Sequence, residues 1–156
     1  MKFSLFLFVG VLISEILYSQ NLTSESLKRA IKVLHKKEGV YLYEYKETLD
    51  SIDPYKDYIK KYKITKKSVI ERLTQLVIDN QNYQPDFKAR CLPVWEYGLE
   101  FRRENESKFF LLSFRCRTLM DVHARTYKDF TPQFVEFYKI IKYELDENAL
   151  FLLDQK

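Results

Sequence analysis

The chain has 156 residues, of which 46% are hydrophobic, 16% are aromatic and 31% are charged. Its 12 tyrosines and 12 phenylalanines, against 3 glycines and 4 prolines, exclude a disordered chain and leave too few glycines for a glycine-rich phosphate loop. The formal net charge of +4 is too weak to indicate a polyanion as the partner.

The N-terminus has the pattern of a secretory signal peptide. An apolar run over residues 3–13 is followed by Ser19, a small residue before the expected cleavage. The alternative is a membrane anchor, but Glu15 ends the run well short of the roughly 20 residues that a spanning helix requires. We therefore expect residues 1–19 to be removed and residues 20–156 to fold as one domain in the periplasm or outside the cell.

Four segments with apolar residues at helical spacing are predicted to be helices. They are residues 21–37, a short helix from Asp53 and Pro54, a longer one from Thr65, and a last one from Thr131 and Pro132. Residues 40–46 alternate tyrosine with other residues, which favours a strand. Residues 121–129 are predicted to be a polar connection, and residues 149–153 to dock on the core as a strand or a last helical turn.

The clearest strand pattern lies between the two cysteines, Cys91 and Cys116. Apolar and aromatic residues occupy every second position in two runs that flank the polar stretch 102–108. A turn centred on Asn105 and Glu106 places all of them on one face, which predicts an antiparallel hairpin. The pairs in this register are Phe101 with Phe110, Leu99 with Leu112, Tyr97 with Phe114, and Trp95 with Cys116.

These elements together predict an α+β fold. A small antiparallel sheet is built on the 94–118 hairpin, and one of its faces is covered by the N-terminal, central and C-terminal helices. The other face is expected to contact water because it carries charged residues. Those residues are Glu96, Glu100, Arg102, Arg115 and Arg117.

Cys91 and Cys116 are expected to form a structural disulfide, because cysteines of exported proteins usually pair. Free thiols, a reactive thiol or a zinc site completed by His35 and His123 remain as alternatives. No Cys-x-x-Cys or His-x-x-x-His spacing supports zinc, and we predict no metal or cofactor. In the predicted register Cys91 lies four residues, about 13 Å, before the position opposite Cys116, whereas bridged Cα atoms are usually about 5.5 Å apart. Either the chain folds back near Leu92 and Pro93, or the predicted register is wrong.

Three short motifs in this region are similar to those of other proteins. Cys-x-Pro, Gly-x-x-Phe and Phe-x-Cys occur here as Cys91 with Pro93, Gly98 with Phe101, and Phe114 with Cys116. With the preceding segment 76–83, these motifs make the chain resemble a type of small exported bacterial protein in which they mark one hairpin. The resemblance implies export and the hairpin, and it implies no activity.

Six lysines are interspersed with three tyrosines over residues 55–67, which indicates a candidate binding surface. Its residues are Tyr58, Lys60, Lys61, Tyr62 and Lys63. Such a surface could contact nucleic acid, an acidic glycan or an anionic lipid, but export and the small net charge argue against nucleic acid. The simpler interpretation is a helix whose tyrosines are buried and whose lysines are solvated. We expect no contact with a membrane beyond export, and the oligomeric state is left open.

The function favoured by the sequence is an exported small binding module that recognises a protein or peptide partner, such as an inhibitor or immunity factor. No catalytic motif is present. One alternative is a small secreted hydrolase that uses His123 with Asp121 and Asp129, and another is an envelope-associated structural protein without a discrete site. A cleft that gathers the histidine and acids would favour the enzyme, whereas an exposed aromatic patch would favour the binding module.

Overall fold

A computed structural model of the chain describes residues 38–48, 53–78, 83–84 and 91–156. The predicted signal peptide and the predicted helix over 21–37 lie outside the described residues. The strands are β1 (Gly39–Thr48), β2 (Tyr58–Ile64), β3 (Tyr83–Gln84), β4 (Trp95–Arg103), β5 (Glu106–Ser113), β6 (Thr118–Asp121), β7 (Thr126–Asp129) and β8 (Leu150–Gln155). The helices are α1 (Lys67–Ile78) and α2 (Phe134–Lys139); a 3-10 turn (Thr131–Gln133) precedes α2 and a π-turn (Ile140–Glu144) continues it.

All eight strands belong to one sheet, in the order β3-β7-β6-β5-β4-β1-β2-β8. Every neighbouring pair is antiparallel. Strands β4 to β7 follow one another as a meander of hairpins. On the edge of β4 that does not pair with β5, the sheet continues with β1, then β2, and then the C-terminal β8. The central hairpin predicted from the sequence therefore lies in the middle of a much wider sheet.

The prediction of an α+β fold with a small sheet under three helices is wrong. Residues that were expected to form a short helix after Asp53 form a turn and strand β2, and the expected polar connection 121–129 forms the β6–β7 hairpin. The physical reason is that tyrosine, isoleucine and threonine suit a pleated strand, and short runs of them do not distinguish strand from helix until a neighbour pairs with them. β2 has such neighbours on both sides, β1 and β8.

Helices α1 and α2 pack against one face of the sheet, here called the helix face. The apolar stripe predicted for the long helix is confirmed, since Val69, Leu73 and Val77 are buried. The sheet contributes to the same core its residues Val40, Leu42, Ile64, Leu99, Phe101, Phe110, Leu112 and Leu119. Lys128 of β7 is also buried, and its Nζ donates a hydrogen bond of 2.9 Å to the carbonyl oxygen of Leu76 near the end of α1.

The opposite face, here called the second face, was expected to be wet, and this is also wrong. It holds a second buried cluster, which consists of Tyr43, Tyr45, Trp95, Phe109 and Leu111. The turn that leads into β2 folds over it: the ring of Tyr55 lies 5.0 Å from that of Phe109, and the Tyr45 hydroxyl donates to the Pro54 carbonyl oxygen at 2.7 Å. Gly98 allows this packing, because a Cβ at that position would lie 2.6 Å from the Phe109 ring.

The β4–β5 hairpin has its predicted faces but a different register. Leu99 pairs with Phe110 and Arg103 with Glu106, so the turn is at Glu104 and Asn105. The offset from the predicted register is two residues, and because side chains alternate with period 2, such an offset does not exchange the two faces of the hairpin. The predicted burial of Phe110, Leu112 and Phe114 and the predicted exposure of Arg115 and Arg117 are confirmed.

Trp95 is the exception, because it joins the second-face cluster. The pairing of β1 with β4 is irregular between Glu44 and Thr48, and Trp95 pairs with Thr48 beyond that irregularity. A local shift of this kind re-aims side chains, and the alternation in the sequence does not reveal it.

A disulfide joins Cys91 to Cys116, with 5.8 Å between the Cα atoms. It ties the segment that precedes β4 to the turn that follows β5, so the predicted pairing is confirmed. Among the described residues, no helix has the length and apolar character needed to cross a bilayer.

Candidate binding surfaces

The candidate surface predicted at Tyr58 to Lys63 is divided between the two faces of the sheet. Tyr62 packs against the helix-face core, and Lys60 lies 3.9 Å from the carboxylate of Glu44. Tyr58 packs against the second-face cluster, and Lys61 lies over the rings of that face. Since these residues lie on a strand and not on a helix, the structure does not bring the five together as one surface.

A different surface is formed by side chains of α2 and its continuation. The rings of Phe134 and Tyr138 stack at 5.6 Å, and the ring of Tyr143 meets Tyr138 at 6.0 Å. Tyr138 is 37% exposed and Tyr143 is 72% exposed. Val135, on the same helix, is 76% exposed. We call Phe134, Tyr138 and Tyr143 the α2 aromatic row.

The π-turn explains why Tyr143 belongs to this row. In a regular α-helix a residue five positions after Tyr138 points to another side, whereas the wider π-turn brings positions i and i+5 into line. The hydrogen bond from the Leu145 amide to the Ile140 carbonyl oxygen, 3.0 Å long, has this i to i+5 spacing. Helical periodicity in the sequence identified Phe134 and Tyr138, but it could not identify Tyr143.

The start of α2 is fixed by signals that the sequence does carry. Thr131 and Pro132, which were predicted to begin the last helix, begin the 3-10 turn that leads into α2. The Asp129 carboxylate accepts a hydrogen bond of 2.8 Å from the Thr131 amide. Phe114, which is buried at the end of β5, lies 5.7 Å from the Tyr138 ring. The row therefore packs against a buried residue that directly follows strand β5.

Cationic side chains adjoin the row. The guanidinium of Arg117 lies 4.7 Å from the Phe134 ring centroid, within the range of a cation–π interaction. The Lys142 Nζ donates a hydrogen bond of 2.8 Å to the Tyr97 hydroxyl. Arg117 reaches its position from the turn that contains Cys116, in which it adopts a left-handed φ of 52°.

The acidic residues of the same helical segment are already engaged. Arg72 of α1 donates hydrogen bonds to the carboxylates of Glu136 and Glu144, and the Nζ of Lys139 lies 3.7 Å from Glu144. The hydrogen bond from Arg72 is the main cause of a lowered pKa for Glu144. The network fastens α2 to α1 and engages both carboxylates of this helical segment.

The residues of the alternative enzyme site are used structurally. Asp121 accepts hydrogen bonds from the amides of His123 and Ala124, and it pairs with Lys108 at 3.0 Å. Asp129 accepts a hydrogen bond from the Thr131 amide, and His123 is exposed in the β6–β7 turn. The described part of the chain contains no group of three or more histidine, cysteine or acidic side chains that could hold a metal ion. A cleft of about 420 Å³ lies elsewhere, between the start of β1 and α1.

No known family model, curated protein or solved structure matches this chain. Its surfaces are therefore interpreted from their own geometry and chemistry. The disulfide between Cys91 and Cys116 is compatible with an oxidising location outside the cytoplasm.

Proposed function

We propose that the protein is an exported module that binds a protein partner through the α2 aromatic row, in the manner of an inhibitor or immunity factor. The observation that carries this proposal is the row itself: Phe134 stacks on Tyr138, Tyr143 meets Tyr138 edge-on, the two tyrosines are exposed, and an arginine lies over the Phe134 ring. Tyrosine, phenylalanine and arginine are enriched at protein interfaces, where they contribute much of the binding free energy.

The row is suited to binding because its side chains are already held in place. Tyr138 contacts Phe114, Phe134 and Tyr143, so little rotamer freedom remains to be lost when a partner docks. Prior ordering of this kind lowers the entropic cost of association. The exposed Val135 and Tyr143 then offer apolar surface that a partner can remove from water.

Charge indicates the chemistry of the partner. Arg115 and Arg117 are exposed, and Lys142 lies beside the row, whereas Glu136 and Glu144 are paired with Arg72. A complementary partner surface has an apolar centre with an acidic rim, since opposite potentials speed association and fix orientation.

Export to the periplasm or the medium is part of the proposal. It is supported by the apolar run of residues 3–13 and by the compatibility of the disulfide with an oxidising compartment. Mass spectrometry of protein from the native host should find an N-terminal peptide that begins at Gln20. An intact Met1 would contradict export by this route.

The proposed function is tested by differential affinity capture from envelope and culture fractions of the native host. The wild type and three variants serve as bait, and their folding is checked by circular dichroism. The test variant carries Val135→Ser and Tyr143→Ser, and the matched control carries Ile59→Ser and Leu153→Ser, which are also exposed apolar residues but lie on β2 and β8. The third variant, Arg117→Ser, tests the cation.

We expect one protein to be enriched by the wild type and by the control, and to be lost with the test variant. With that partner purified, calorimetry should show a Kd at least about 30-fold weaker for the test variant, as for a residue pair at the centre of an interface. Partners that bind all baits equally would overturn the assignment of the row as the binding surface.

A further inference from the structure

We infer that the second face carries a separate site for an acidic peptide segment, formed by Lys61 and Arg102 around the ring of Tyr41. The site lies across the sheet from the helix face and shares no residue with the α2 aromatic row. It accounts for part of the basic stretch in the sequence, whose lysines the proposed function does not use.

The two cations converge on one tyrosine. The Lys61 Nζ is 5.3 Å from the Tyr41 ring centroid, and the Arg102 guanidinium carbon is 5.1 Å from it. Lys63 pairs directly with Tyr41 across β1 and β2, which places it on the same face. The Lys61 Nζ also lies 4.8 Å from the Tyr43 ring centroid, so its position is fixed by two rings.

Two carboxylates among the described residues lie near these cations. Asp154 pairs with Lys61 across β2 and β8, and it accepts a hydrogen bond from the Tyr58 hydroxyl. Glu100 is 1% exposed, and it accepts a hydrogen bond of 2.6 Å from the Tyr43 hydroxyl and one of 2.9 Å from Arg102. In that same part of the chain, no carboxylate forms an ion pair or hydrogen bond with Lys61 or Lys63. Lys61, Lys63 and Arg102 carry three positive charges against the two negative charges of Glu100 and Asp154, so one positive charge remains to attract an anion.

The state of Lys61 supports this interpretation. Burial against the tyrosine rings lowers the pKa of its ammonium group, and this effect outweighs the opposite effect of the negative charges on Glu100 and Asp154. A carboxylate placed between Lys61 and Arg102 would stabilise that charge. Because both cations lie on an aromatic ring, the carboxylate would meet them in a partly desolvated setting, where ion pairs are stronger than at an exposed surface.

An exposed phenylalanine favours a peptide over an acidic polysaccharide. Phe151 of β8 pairs with Lys63 and is 61% exposed, so it continues the row of the sheet that contains Lys63 and Tyr41. A peptide with both acidic and apolar side chains can use the cations and Phe151 together. A polyuronate offers carboxylates but no apolar side chain for Phe151.

The test uses three probes at low ionic strength: a glutamate–tyrosine copolymer, polyglutamate and polygalacturonate. Binding to the full-length protein is measured by fluorescence anisotropy. Lys61→Met keeps the packing of the side-chain stem and removes the charge. Lys66→Met, at an exposed residue just before α1, removes the same charge and is the matched control.

We expect the copolymer to bind most tightly, Lys61→Met to weaken it at least tenfold, and Lys66→Met to change it less than twofold. Phe151→Ser should weaken the copolymer but not polyglutamate. Equal effects of the two lysine variants would reduce the binding to general electrostatics and overturn the site. Polygalacturonate binding as tight as that of the copolymer would overturn the assignment to a peptide. Neither result affects the α2 aromatic row.

Discussion

Glu100 is the residue whose environment the sequence predicted least well. The hairpin alternation correctly placed its side chain on the face of the sheet away from Leu99 and Phe101. The alternation says nothing, however, about what covers the second face. In the structure the turn containing Tyr55 and the ring of Tyr43 cover it, so a carboxylate expected in water is buried. Burial and the hydrogen bond to Glu100 raise the pKa of Tyr43, which keeps its hydroxyl protonated as a donor.

Replacing Tyr43 with phenylalanine should therefore lower the free energy of unfolding by roughly 1.5–3 kcal/mol, the usual range for a hydrogen bond to a charged group. The buried carboxylate would keep Arg102 but lose its tyrosine donor. Chemical denaturation at neutral pH measures the loss. Tyr41→Phe is the control, with an expected change within about 0.5 kcal/mol, because the Tyr41 hydroxyl donates to no described residue. Equal losses for the two variants would contradict the role of this hydrogen bond.

Helices and strands differ in how well the sequence predicted them. The segments that contain α1 and α2 each combine a start signal with an apolar period, and both were predicted to be helical, with starts at Thr65 and Thr131 slightly before the observed ones. β2 and the β6–β7 hairpin are short, and their identity depends on neighbouring strands that are distant in sequence. The α2 aromatic row shows the same limit, because Tyr143 lies in a π-turn and the adjoining Arg117 lies in the turn after β5.

The link between the two helices should make stability depend on pH. Because Arg72 lowers the pKa of Glu144, the pair stabilises the fold fully above the unfolded pKa of about 4.3. That contribution is lost as the pH falls through the lower, folded value. Arg72→Met should thus be less stable than the wild type at pH 7, and the difference should shrink in acid.

Denaturation curves of both proteins between pH 7 and pH 2.5 measure this difference. The control is Lys67→Met, which removes an exposed pair with Glu71 on α1 and should have little effect at any pH. A difference between wild type and Arg72→Met that stays constant over this range would show that Arg72 acts through packing and not through Glu144.

For the whole molecule, the order of strands is the property that the sequence could not supply. β1 joins β4 and β8 joins β2, and neither pairing is between neighbours in the chain. The disulfide is the long-range contact that the sequence did predict, because the chain has only two cysteines. It closes the segment before β4 onto the turn that carries Arg117, next to the α2 aromatic row.

Replacing both Cys91 and Cys116 with serine should lower the free energy of unfolding by about 3.5 kcal/mol in the chain-entropy model for a loop of this length. That is a large share of the roughly 5–15 kcal/mol by which such a domain is stable. The melting temperature should fall clearly, while a protein partner should still bind at low temperature, because the bridge takes no part in a reaction. Peptide mapping without reduction should find the two cysteines linked in protein from the native host. Two freely alkylated thiols in that protein, or a double variant as stable as the parent, would contradict a structural role for the bridge.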